Sequence, residues 1–514
     1  MKVSSLIDEF EKLTNELKHK IQKRIDELEN QKLELDELLT KYAKLTRFKF
    51  NKEFLKPLIE KPYKIVPYTK NSWRVIVPKI FDFSIGWIED SDEAWTVFVV
   101  NKFAHYLGDI PDELEKKFKF KPPLPLKIWD GMLITGKDHQ DDAWHRYSKY
   151  LSRRKGTDKI RIRKGKTIDL IASLLDDGIL PFLPKKVEEK DLRQPPDQLD
   201  FSLRDYQQDA YEKFLQLGWV GIYWAMSAGK SFVALWAIAH LKGRKIVWVP
   251  NKTIKGQWFE YLDRWVPFAK KEVDVEVYHK KNIEKVRNNE YLLAIFDEGH
   301  RILAETFIEA TTLNAKYRML LTGTPYREDT FRNKNATAYI LAIGGHPIGL
   351  DWKILYERGL LIKPDITCFI AKNYNAKKDK LDLLLSQDVK GKTIVFCDSR
   401  ERGYALSKEY DIPFVSGDIT NIDTRIELIR NSETLIIARV ADEGISIKDI
   451  QRIIEFDFHF GSRRQELQRL GRTFHSKKKK VDYIILMTRD EYKEYHKRFD
   501  PFDSKGLKIQ YIMI

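Results

Sequence analysis

The stretch from Trp219 to Leu241 restricts this chain more than any other. An apolar run, WVGIYW (Trp219–Trp224), leads into AMSAGKS and then into a second apolar run, FVALWAIAHL (Phe232–Leu241). Strand, tight loop, helix is the context that a phosphate-binding loop needs. The main-chain N–H groups across Ser227, Ala228 and Gly229, with the positive end of the following helix, suit phosphate oxygens. Lys230 is placed to reach β- and γ-phosphates, and the Ser231 hydroxyl to ligate Mg²⁺. The first glycine of the G-x-x-x-x-G-K-S/T pattern is Trp224 here.

With 514 residues the chain exceeds one hydrophobic core, and roughly three or four domains are expected. A hydrophobic content of 43% with 12% aromatics describes a globular chain and excludes a disordered one. No apolar run reaches the ~20 residues of a membrane span. The charged N-terminus argues against a secretory signal. Two cysteines, Cys368 and Cys397, cannot build a disulfide framework or a zinc site alone. They fit a reducing intracellular compartment, cytoplasmic or nucleoid-associated, for a cellular, viral or plasmid-borne gene. A net charge of +15 points to a polyanionic partner, nucleic acid first.

Met1 to about Leu45 has neither Gly nor Pro, and its apolar residues recur at helical spacing. One long helix or a helical pair fits, and its stripe docks on the protein's own body or on another chain. Residues 46–190 read as an α+β accessory domain. Its most informative part is Trp144–Lys166, where basic Arg146, Arg153 and Arg154 interleave with Trp144, Tyr147 and Tyr150. In KIRIR, strand alternation puts Lys159, Arg161 and Arg163 on one face. Cations for phosphates and rings for bases is the chemistry of nucleic-acid binding, and a solvated basic face is the plainer reading. Leu183–Asp200, with Pro184, Pro195 and Pro196, reads as a linker.

After it, Gln207 carries the amide donor and acceptor needed at an adenine edge. YLLAIFDEGH (Tyr291–His300) is an apolar strand ending in Asp297-Glu298-Gly299-His300. An Asp at a strand end suits Mg²⁺, an adjacent Glu can deprotonate water, and His300 can couple the site to its surroundings. MLLTGTPYRED (Met319–Asp329) is a third strand, with Thr322 and Thr324 suited to a relay and Arg327 in the charged loop that follows. Beyond Leu350 the alternation of strand and helix restarts, with an acidic loop containing Gly444, and argues for a second parallel-sheet domain. In RRQELQRLGRTFH (Arg463–His475), helical spacing gathers Gln465, Gln468, Arg469 and Arg472 on one side, as arginines for a γ-phosphate or as a solvated basic helix.

These blocks, in this order from about Leu203 to Arg489, resemble a superfamily 2 helicase or translocase of the DEAD/DEAH-like kind. Within it they are most similar to the XPB and phage UvsW branch: SAGKS (Ser227–Ser231), Arg327-Glu328-Asp329, GISIK (Gly444–Lys448) and QRLGR (Gln468–Arg472) carry the likeness. The resemblance implies two tandem RecA-like parallel-sheet domains, 191–350 and 351–514, after a long helix or coiled coil (1–45) and the accessory domain (46–190). It implies ATP and Mg²⁺ in the cleft: Lys230 and Ser231 on phosphate and metal, Asp297 on the metal, Glu298 on water, Gln207 on adenine, and Arg469 and Arg472 completing the site. It implies a motor that unwinds or remodels nucleic acid, DNA ahead of RNA. Two positions depart from the pattern: motif VI ends in His475 in place of a second arginine, and motif V has Ser446 where many relatives have Asp. An ATP-gated scaffold that recruits partners through residues 1–45, and an RNA helicase, stay open on these residues.

Overall fold

The structure is a computed structural model. It describes residues 63–69, 72–78, 87–91, 95–106, 115–116, 122–194, 199–304, 307–323, 330–331, 334–349, 352–419, 421–438, 447, 449–458, 469–470, 481–499, 502 and 506–514. The helix expected over 1–45 lies outside these residues, as do Thr324, Arg327, Gly444, Gln468, Arg472 and His475. Among the described residues no helix is long and apolar enough to cross a membrane.

Two compact units emerge: Met1–Leu124 with Asp176–Ile179, and Pro125–Leu175 with Leu180–Ile514. The expected accessory segment therefore holds two sheets that part at residue 124. In the first unit, β1 (Lys64–Thr69), β2 (Ser72–Pro78), β3 (Trp87–Ser91) and β4 (Trp95–Val100) form an antiparallel sheet in the order β1-β2-β4-β3. Its core is Val75, Val77, Phe98 and Val100.

The second unit opens with β5 (Lys127–Trp129), β6 (Met132–Ile134), β7 (Leu151–Lys155) and β8 (Lys159–Ile162), antiparallel in the order β5-β6-β8-β7. Helix α1 (Gln140–Tyr147) is tied to the β7–β8 hairpin where the Gln140 amide donates to the carbonyls of Gly156 and Lys159. Helix α2 (Thr167–Asp176) follows and buries Leu170, Ile171, Leu174 and Leu175, an i, i+1, i+4, i+5 stripe.

The two large sheets are wholly parallel. The first consists of β9 (Trp219–Tyr223), β10 (Lys245–Val249), β11 (Val273–Val277), β12 (Glu290–Asp297), β13 (Asn314–Leu321) and, after the short hairpin β14 (Thr330–Phe331) and β15 (Lys334–Asn335), β16 (His346–Gly349). Their order is β11-β10-β12-β13-β9-β16, so the carboxyl ends of β9, β13 and β12 are neighbours although their sequence positions are far apart. Ligands in such sheets collect at the carboxyl ends of the strands. Helix α3 (Asp205–Leu217) precedes β9, α4 (Lys230–His240) joins β9 to β10, and α5 (Lys252–Trp265) follows β10. KIVWV of β10 is buried at every residue, as a strand covered on both faces must be. The second sheet runs β19 (Phe414–Val415), β20 (Thr434–Ile437), β18 (Lys392–Cys397), β21 (Ile450–Asp457), β22 (Asp482–Thr488), β17 (Asp365–Ala371), β23 (Ile509–Met513). The two parallel α/β domains expected from the sequence are thus observed.

The stretch read as a linker is fastened over its first half. The Glu188 N–H donates to the Tyr317 hydroxyl at 2.8 Å, and that hydroxyl donates to Asp191 at 2.5 Å. Lys316 bridges Glu188 and Asp191, both at 2.6 Å. Arg193 donates to the Ala239 carbonyl and pairs with Glu272 at 2.8 Å. Charged residues of this stretch find their partners on β13, at the end of α4 and just before β11, which no local pattern discloses.

Candidate nucleotide site

Between β9 and α4 the backbone turns through left-handed conformations at Ser227 (φ 65°) and Gly229 (φ 83°). Gly229 suits its left-handed φ, and a Cβ there would lie 2.2 Å from the Gln207 side-chain nitrogen and so displace that amide. The Lys230 ammonium donates to the carbonyls of Trp224 (3.0 Å) and Ala225 (3.1 Å). Burial lowers its pKa, against the pull of Glu298 and Asp297. Trp224, where the pattern has its first glycine, is an anchor: its buried ring meets Tyr206 edge-on at 5.1 Å, and the Tyr206 hydroxyl donates to the Ala228 carbonyl at 2.9 Å.

Gln207 is buried, and both ends of its amide are occupied. Its oxygen accepts from the Arg204 N–H at 2.9 Å and its nitrogen donates to the Gly229 carbonyl at 3.1 Å. The residue expected at an adenine edge therefore stitches the start of α3 to the phosphate loop.

Asp297 ends β12, beside β13. Its Oδ1 accepts from the Glu298 N–H at 3.0 Å and its Oδ2 from the Trp258 indole at 2.8 Å. Glu298 adopts a left-handed conformation (φ 47°), which is strained for a residue with a Cβ. The next residue must be glycine, since a Cβ on Gly299 would meet Leu320 at 2.3 Å. Fully buried His300 uses Nδ1 toward both Glu298 (3.2 Å) and the Thr322 hydroxyl (3.0 Å). Burial and the neighbouring Glu298 charge push the Asp297 carboxyl up. Burial opposes ionisation of Glu298 as well, yet the hydrogen bond from His300 and the nearby cations hold it well below the usual carboxylate range.

Asp297 and Ser231 offer two hard oxygen donors. Mg²⁺ is held by one or two protein oxygens together with substrate phosphates and water, so this donor set fits it. Trp258 was not legible as a site residue; its place after Gln257 on α5 is the only signal the sequence carries.

In the second parallel domain Arg469 differs from expectation. It is fully buried, with Nη1 on Glu455 and Nη2 on Asp398, both at 2.5 Å, and its guanidinium lies 4.6 Å from the centre of the Phe396 ring. Tyr483 donates to the other oxygen of Glu455 at 2.8 Å. A guanidinium committed to two buried carboxylates is not a phosphate-facing finger in this structure. The expectation that Arg469 faces the cleft is corrected on that ground.

Of the residues expected on nucleic acid, Arg154 pairs with Asp141 at 2.6 Å and lies 5.5 Å from the half-buried Trp144 ring. Arg163 lies just past β8 and donates to the Leu151 carbonyl at 2.7 Å. Arg146, Arg153, Lys159 and Arg161 are exposed.

Residues 375–500 match the family model of the ERCC3/RAD25/XPB C-terminal helicase. The Rad25 protein of Halobacterium salinarum is 27% identical over 60% of this chain and 58% of its own length. The DNA 3'-5' translocase XPB2 of Sulfurisphaera tokodaii is 25% identical over 63% of this chain and 87% of its own. The chain spans just over half the length of the Rad25 proteins it matches, 58% and 56%. Among solved structures, S. cerevisiae Dbp5 bound to RNA and ADP BeF3 aligns with a TM-score of 0.49 at 14% identity, covering 60% of this chain and 89% of that one. These sequence matches are similarities to helicases and translocases of the XPB and Rad25 kind.

Proposed function

We propose that the chain is an ATP-dependent motor that translocates on DNA and unwinds or remodels it inside a cell. The observation that carries this reading is the meeting, at the ends of β9, β12 and β13, of a lysine-bearing phosphate loop, an Asp-Glu pair and the His300–Thr322 contact. The names of the XPB and Rad25 relatives support DNA ahead of RNA.

In this reading Lys230 exchanges the carbonyls of Trp224 and Ala225 for the β- and γ-phosphate oxygens of ATP. Gln207 turns its amide from the Gly229 carbonyl toward adenine. Ser231 and Asp297 would hold Mg²⁺, which when bound would supply positive charge beside the phosphate oxygens. Glu298, kept ionised by His300, takes the proton of the attacking water. His300 links that carboxylate to Thr322, Thr324 and Gln468 lie in the motifs that relay the change, and Gly444 lies in the loop that contributes to nucleotide binding. Arg472 contributes the guanidinium of the second domain.

The test is steady-state hydrolysis of ATP without nucleic acid and with single-stranded DNA, duplex DNA, a branched junction and RNA, at two salt concentrations. Salt-sensitive stimulation by a DNA form, lost in Glu298→Gln while ATP still binds, is expected. Equal, negligible rates in all five conditions would overturn the motor and leave an ATP-gated scaffold. Stimulation by RNA alone would move the substrate to RNA.

A further inference from the structure

The ribbon of β7 and β8 has two unlike faces. Leu151, Ile160 and Ile162 are buried on the side tied to α1, which contributes buried Ala143 and Tyr147. On the other side the register sets Arg153 directly opposite Arg161, and Lys155 directly opposite Lys159. Arg153, Lys159 and Arg161 are exposed and Lys155 is half-buried.

Like charges directly opposite one another destabilise a ladder. Nearby cations are relieved: Arg154 by Asp141, Lys166 by Asp169, Arg163 by a carbonyl. Among the described residues, no carboxylate pairs with Arg153, Lys155, Lys159 or Arg161. Two rungs of like charge are thus kept on an open face. They lie two residues apart, about 7 Å along the strand, close to two phosphate rises of a nucleic-acid strand. Across from them on β6 stand only Met132 and Ile134, both half-buried, so the face lacks the exposed apolar side chains that enter a membrane surface.

We propose that this four-cation ladder grips the phosphate backbone of DNA independently of base sequence and of bound nucleotide. The identity of the polyanion rests on the motor reading; the ladder itself rests on the register. Arg154, Arg163 and Trp144 are supports of the ribbon and not part of the grip.

The experiment measures binding of the full chain to a fluorescent duplex DNA without nucleotide, across a salt series. In the variant R153Q/K155Q/K159Q/R161Q the affinity at low salt falls at least roughly tenfold, and the slope of log K against log salt becomes shallower by about two to four, since each phosphate contact contributes about 0.9. The one-rung variant K155Q/K159Q gives about half that change. Without DNA, both variants melt at or above the temperature of the unmodified chain, because a repulsion has been removed. Unchanged affinity and slope overturn the proposal, as does a loss of binding to anionic phospholipid vesicles with DNA binding intact. Failure of the motor reading is distinct: it is absence of DNA-stimulated hydrolysis in the unmodified chain.

Discussion

The indole nitrogen of Trp258 donates to Asp297 Oδ2 at 2.8 Å, so a buried side chain of α5 holds the carboxylate at the end of β12. The contact joins the helix after β10 to the residue proposed to hold Mg²⁺. Trp258→Phe keeps a ring in the core and removes the donor. A hydrogen bond to a charged group contributes about 1.5–3 kcal/mol, so kcat should fall roughly ten- to hundredfold, with half-maximal activity moved to higher Mg²⁺. A Mg²⁺ titration of hydrolysis checks this; an unchanged profile rejects the positioning role.

Gly229→Ala introduces a Cβ at φ 83° and drives it into the Gln207 amide. The left-handed backbone alone costs about 1–2 kcal/mol. ATP affinity should drop roughly tenfold or more, measured by titration with a fluorescent nucleotide. Unaltered affinity would show that the loop relaxes without loss.

Arg469→Met would leave Asp398 and Glu455 facing each other, buried and unneutralised by this residue. Breaking a buried pair from one side costs about 3–5 kcal/mol, and here it should appear as a lowered denaturation midpoint in urea. A finger at a phosphate would instead reduce turnover and leave the midpoint in place. That second pattern would restore Arg469 to the cleft.

His346, on β16, is buried, and burial together with nearby Lys213 pushes its pKa down to about 4. The folded chain favours the neutral ring, while the unfolded chain takes a proton near pH 6.5. Stability is therefore complete above about pH 6.5 and declines as pH falls toward 4, by about 2–3 kcal/mol from this group. In His346→Leu the difference in urea midpoint between pH 7 and pH 4.5 should shrink. An equal difference in both proteins would rule this group out as a source of the decline.

Much of the fold was legible because its signals are short-range. KIVWV and YLLAIF announce buried strands, AGKS announces a loop before a helix, and the restart after Leu350 announces a second domain. The accessory segment was read as one body and contains two sheets, since two short antiparallel sheets share a single local pattern. Gln207 was visible as a polar side chain ahead of the loop, but its bonds to Arg204 and Gly229 were not.

By itself, the sequence determined which segments are strands and helices and which residue types stand at their ends, because periodicity and turn chemistry act over a few residues. Only the tertiary structure decided who meets whom. The order β11-β10-β12-β13-β9-β16 brings Trp258 to Asp297 and His300 to Thr322, and the second sheet brings Arg469 to Asp398. Such pairings bridge tens of residues and depend on strand order and register, which are settled by the packing of whole layers.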